Sequence, residues 1–144
     1  MNKLFKAFTK IITATAASVI LIMGIKILTD GMYLLGLPNL SEIQSVSISC
    51  PAASEEIKEL SDSENIELAL QLTGFLKYDV LKKADNEEEA LIFITYHLKN
   101  STDKTVSASN TAVYWNGKCH ALKERETFIK LTEAIFFTEN LQTE

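Results

Sequence analysis

Residues that carry chemistry are scarce in this chain. Among 144 residues there are two cysteines, two histidines, two prolines and five glycines. The glycines never gather into a phosphate-cradling loop, and no serine stands in a nucleophile elbow. The histidines, His97 and His120, are not spaced as a zinc-binding pair. Neither an internal repeat nor a low-complexity stretch is present. Acidic residues are missing altogether before Asp30, whereas Lys3, Lys6, Lys10 and Lys26 all precede it. Ten of the 14 basic residues and all 19 acidic ones therefore fall from Asp30 onward, a formal charge of −9. A domain that acidic repels phosphate backbones, and no basic stripe with interleaved aromatics offsets it, so nucleic acid is excluded as a partner.

What the chain does have is one long apolar run. Residues 11–28 read IITATAASVILIMGIKIL. Eighteen residues at helical rise cover about 27 Å, close to the roughly 30 Å of bilayer hydrocarbon. Lys26, the only charge, stands near the end of the span, where a lysine snorkels to the interface. The lysines on the N-terminal flank and Asp30 on the other predict a cytoplasmic N-terminus, and Tyr33 suits the outer headgroup level. A retained signal anchor is expected rather than a cleaved signal peptide. Ala14-Thr15-Ala16 is small-x-small but lies inside the apolar run, and Thr29-Asp30-Gly31 is a poor cleavage site. No cysteine follows directly, so no lipoprotein anchor is formed. The expected organisation is a cytoplasmic basic tail (1–10), a transmembrane signal anchor (11–28), a connector (29–40) and an extracytoplasmic domain (41–144).

Within that domain, residues 43–49 alternate as a half-buried strand, and 51–58 form a polar loop or hairpin return. Ser61 and Glu64 fit a capping box opening a helix over 66–78, with Ile66, Leu68, Ala69, Leu70, Leu72, Phe75 and Leu76 on one broad face. A charged turn follows at 86–89. Residues 90–98 carry two apolar rows, which predicts a central strand. After a polar turn at 100–104, a strand over 105–115 leads through Asn116-Gly117, a strong hairpin signal, into 118–122. A last short strand at 128–131 is expected, with Thr132 capping a closing helix that carries Ile135, Phe136, Phe137 and Leu141. The fold class is α+β: an N-terminal transmembrane helix, then a small antiparallel sheet with helices packed on one face. About 105 residues suffice for an independent core.

Several strings resemble a family of small exported proteins of Gram-positive bacteria, the domain of unknown function 5301. They are Leu37-Pro38 leading to Ile43-x-Ser45-Val46-x-Ile48, the stretch KELSDSENI at 58–66, Asn116-Gly117-Lys118, and FIKLT at 128–132. Together they spread over residues 37–137. The tyrosine-rich stretch expected after the hairpin is here Cys119-His120-Ala121-Leu122, a departure from the pattern. The resemblance implies an exported bacterial protein of this fold and carries over no catalytic residue.

Four constellations deserve weighing. Cys50 and Cys119, both at predicted strand ends, are a candidate disulfide that would contribute roughly 4 kcal/mol by closing a long loop. Two unpaired thiols are the alternative. Cys119-His120 with His97 suggests a metal or nucleophile site, but adjacent strand residues point to opposite faces, so strand histidines facing solvent are expected. Asp85, Glu87, Glu88 and Glu89 lack the alternation and the glycine of a calcium loop and read as a solvated turn. Asn100-Ser101-Thr102 is a glycosylation sequon only in a eukaryotic setting. No catalytic residue, cofactor or metal is assigned. The expected function is a non-catalytic binding or interaction module at the cell surface, with the membrane and a surface protein as partners. The alternatives are a small hydrolase built on His97 or His120, and an accessory subunit of a membrane complex. Protease added to intact cells should remove a C-terminal tag. Protection of the tag would reverse the topology, and a soluble form beginning near Asp30 would reveal cleavage.

Overall fold

A computed structural model of the protein describes residues 2–84, 88–124 and 127–137. Helix α1, Asn2–Asp30, is longer than the expected span. Its portion from Leu4 is long and apolar enough to cross a membrane, and none of it is buried against the rest of the protein. Hydroxyl groups within it are satisfied inside the helix. Thr9, Thr13, Thr15 and Ser18 each donate to the carbonyl four residues back, at 2.8–2.9 Å. A lipid-facing helix requires this, because no water is there to accept.

Gly31 turns the chain from α1 onto the sheet with φ +85°. A Cβ there would lie 2.9 Å from the Tyr78 carbonyl oxygen, so only glycine fits. Strand β1 (Met32–Tyr33) follows at once, then a short 3-10 turn (Leu40–Glu42), β2 (Ile43–Ser49) and β3 (Lys58–Leu60). Next come α2 (Ser63–Gly74), β4 (Lys77–Asp79) and β5 (Ile92–Leu98). The chain closes with β6 (Asp103–Ala108), β7 (Ala112–Trp115), β8 (Lys118–Leu122) and α3 (Thr127–Phe136). All the strands form one antiparallel sheet in the order β1-β4-β8-β7-β6-β5-β2-β3. The chain is thus α+β, with an N-terminal apolar helix ahead of the sheet.

The burial pattern of β5 explains the layering. Ile92, Ile94, Tyr96 and Leu98 are buried, whereas Thr95 and His97 are half-exposed and Phe93 is 38% exposed. The strand is central, as its apolar composition predicts, but only one of its two apolar rows is covered. Both α2 and α3 contribute to the core on that side, through Ile66, Ala69 and Leu72 and through Phe128, Ile129 and Phe136.

Three elements differ from the sequence expectation. Asp62, not Ser61, caps α2, accepting from the Asn65 amide at 2.9 Å; an ionised carboxylate is the stronger acceptor at a positive helix end. The helix ends at Gly74 rather than at 78, glycine being a poor helix former, and Lys77 to Asp79 become β4. Residues 128–131 are not a strand but the first turns of α3. Phe128, Ile129, Thr132 and Phe136 are buried together, a helical spacing, and Thr132 sits inside the helix with its hydroxyl on the Phe128 carbonyl at 2.8 Å. The single strand expected over 105–115 is broken into β6 and β7 by a turn at Ser109. Leu141 and residues 86–87 of the turn at 86–89 lie outside the described residues.

One buried polar junction fastens α2 to the sheet. The Tyr96 hydroxyl lies 2.6 Å from Thr73 Oγ1 and donates to the Ala69 carbonyl at 3.1 Å. Thr73 in turn donates to the carbonyls of Ala69 and Leu70 at 3.1 Å. Burial pushes the Tyr96 phenol far above its ordinary value, so it remains a neutral donor. Tyr96→Phe should cost about 1 kcal/mol of unfolding free energy. Tyr96→Ala should cost roughly 3–5 kcal/mol, because the whole ring leaves the core. Equal small losses in chemical denaturation would mean that the ring is not buried against α2.

Candidate functional site

The two cysteines are apart and reduced. Cys50 is buried at the end of β2, and its thiol donates to Glu133 Oε1 at 3.6 Å, while Cys119 is half-buried on β8. Desolvation raises the Cys50 thiol above its ordinary value, and the Glu133 carboxylate adds to the shift. Between β2 and β8 lie β5, β6 and β7. At about 4.8 Å per strand the separation is roughly 19 Å, where a disulfide needs Cα atoms within about 7 Å. The Cys50–Cys119 bridge is therefore not formed.

His120 packs its ring against Tyr78, with centroids 4.2 Å apart, and burial followed by the charge of Lys118 lowers its basicity. It shares a shallow cleft with Asp79. The Asp79 carboxylate, however, is occupied by the Leu81 amide at 3.0 Å and by Lys123 and Lys82 at 3.5 and 3.8 Å. The amide bond, with help from both lysines, holds this carboxyl below its usual range. Among the described residues, no group of three or more histidines, cysteines and carboxylates is placed to hold a metal. Of the acidic turn, Asp85 and Glu87 lie outside the described residues. Glu88 is not merely solvated. It accepts from the Ser109 hydroxyl at 2.7 Å and from the amide and hydroxyl of Thr111, and so braces the β6–β7 turn. Those bonds, Thr111 foremost, lower its carboxyl.

His97 has partners that no local sequence signal announces. Its Nδ1 lies 2.8 Å from Asp103 Oδ1 and its Nε2 lies 2.5 Å from Ser47 Oγ, and Ser47 donates to Glu59 Oε1 at 2.7 Å. Ser47 pairs with Glu59 on β3, and His97 pairs with Ser45 on β2 and with Asp103 on β6. The row thus crosses four neighbouring strands on the uncovered sheet face. A serine and a carboxylate on the two nitrogens of one imidazole invite comparison with a nucleophilic triad. Two features oppose that use. The Ser47 proton is directed at Glu59, away from the imidazole that would have to take it. Ser47 also lies within a strand flanked on both sides, so the neighbouring backbone N–H groups are engaged in ladders and form no oxyanion hole. The arrangement is a cross-strand polar ladder that holds the register of β3, β2, β5 and β6.

A predominantly apolar concavity lies on the other face, between α2 and α3. It encloses about 520 Å³, within the usual range for small-molecule sites. Leu68, Leu72, Phe75 and Leu76, from α2 and its end, line one side, Phe128, Leu131 and Ile135 of α3 the other, and Leu122 and Tyr33 complete the apolar lining, with Gln71, Lys77, Glu124 and Thr127 as the polar residues. Phe75 is 74% exposed and Leu131 44% exposed at its rim. Solvent-facing apolar groups of this size gathered at one concavity mark a binding surface. The groove was hidden in the sequence because the 128–131 segment reads as a strand. Once that segment is helical, Leu131 and Ile135 fall four apart on a face turned toward α2.

No protein-family model, curated protein or solved structure matches this chain.

Proposed function

We propose that this protein is a non-catalytic binding module, held at the cell membrane by α1 with its acidic α+β domain outside the cytoplasm. The lysines before Asp30 and the missing acidic residues support this orientation. The observation that carries the reading is the apolar groove between α2 and α3, which combines nine apolar lining residues with only four polar ones. Such a lining removes water from an apolar ligand and leaves a few polar groups to orient it. The groove contains no nucleophile–base pair, and neither histidine opens into it.

The polar row of Ser47, His97 and Asp103 favours a second reading, a small hydrolase acting on the open sheet face. Complementation of a deletion strain separates the two. Phe75→Asp with Leu131→Asp should abolish complementation while the protein still accumulates in the membrane, since both positions are at the surface. Ser47→Ala and His97→Ala should complement fully. The reverse pattern would replace the binding module by the enzyme.

A further inference from the structure

We infer that the groove between α2 and α3 seats an acyl chain of a membrane phospholipid, with the lipid phosphate held at the lysine-bearing rim. The inference rests on the reading of α1 as a membrane anchor and names the ligand of the proposed site.

Position supplies the first argument. Gly31 joins α1 directly to the sheet, and Tyr33, one of the residues lining the groove, is three residues beyond the end of α1. At about 3.3 Å per extended residue, Tyr33 lies roughly 10 Å past the helix end. The polar layers account for the difference between about 30 Å of hydrocarbon and 40–45 Å of whole bilayer, roughly 5–8 Å on each side, and the turn at Gly31 shortens the reach of Tyr33 below its extended length, so the groove opens near headgroup level. The pairing of β1 with β4 sets Lys77 opposite Tyr33, which brings the end of α2, and with it Phe75, to the same height.

Composition supplies the second. Lys77 Nζ stands 4.9 Å over the Tyr33 ring at the groove, and Lys82, Lys83 and Lys123 flank the same edge of β4 and β8. Four of the ten basic residues after Asp30 therefore gather on the edge that meets the membrane, in a domain whose formal charge is −9. Among the described residues, the carboxylates on this edge are Asp79, bound to Lys82 and Lys123, Asp30, bonded by the Thr29 hydroxyl, and Glu124 at the groove. Lys77 and Lys83 have no carboxylate partner among the described residues. An aromatic ring, lysines and an exposed apolar rim together are the composition of a surface that sits in the headgroup region. A groove of 520 Å³ opening there accepts an apolar chain without carrying it through water.

The test uses the full chain reconstituted in phosphatidylcholine–phosphatidylglycerol vesicles that carry a diazirine on one acyl chain. The vesicles are floated, irradiated and the adducts mapped by mass spectrometry. Adducts on Phe75, Leu131 and Ile135, in addition to those on α1, are expected. Leu131→Glu should reduce the groove adducts about tenfold, since a charge in the apolar lining opposes the chain, and leave the α1 adducts unchanged. Four results would overturn the inference. Adducts on α1 alone leave the groove empty of lipid. Adducts equally dense on exposed Val80 and Leu81 mean that the edge merely touches the bilayer. Groove adducts that appear only after truncation behind Phe137 mean that the chain's own residues 138–144 fill it. A chain that fails to float removes the anchor reading as well.

Discussion

Covering one face of an antiparallel sheet, and leaving the other to water, is the constraint from which most of this structure follows. The row Ile92, Ile94, Tyr96 and Leu98 must be removed from water, and α2 supplies the cover while its Thr73 satisfies the one polar atom that Tyr96 carries into the core. A buried hydroxyl without a partner would cost about 1–3 kcal/mol, so the junction also fixes where along the strand α2 can rest. On the opposite face the same strand presents Thr95 and His97, and there the sheet is held by hydrogen bonds between side chains rather than by a second layer.

That asymmetry decides where an apolar concavity can form. On the uncovered face Thr95, His97, Ser47 and Asp103 hydrogen-bond with their cross-strand neighbours. The helical face is not fully closed, because α2 and α3 are two short helices over a long sheet and part their apolar surfaces along the groove. Gly31 then places this opening close to α1. Any side chain at that position would collide with the Tyr78 carbonyl and push β1 away from β4, so the junction between α1 and the groove depends on one residue.

Short-range signals in the sequence were legible where the chemistry is local. Asn116 and Gly117 take φ values of 49° and 71°, the left-handed pair that a tight hairpin requires. The central strand and the polar turn before β6 follow from alternation and from Asn100, whose side chain accepts from Thr102. The amphipathic helix was visible too, although its end at Gly74 was not, since the apolar residues Phe75 and Leu76 continue its pattern. Segment 128–131 was ambiguous in principle: four residues are compatible with a period of 2 or of 3.6, and only burial of Phe136 on the same face separates them. Sheet order was not legible at all. Whether Cys50 meets Cys119, or His97 meets Ser47 and Asp103, depends on which strands become neighbours, and that is decided by pairing between residues as far apart as Ile43 and Leu98. The apolar span was plain from composition, because a bilayer demands length and hydrophobicity and little else.

The groove joins these threads, since its walls need the helical assignment of α3, its position needs Gly31, and the ligand we propose for it rests on both. Nuclear Overhauser spectroscopy on the full chain in phospholipid nanodiscs, with leucine and isoleucine methyls labelled, tests the account most directly. Cross-peaks from lipid acyl protons to the methyls of Leu68, Leu131 and Ile135, and none to Ile94 in the closed core, are the result expected. Acyl cross-peaks confined to the methyls of α1, with the groove methyls silent, would contradict it.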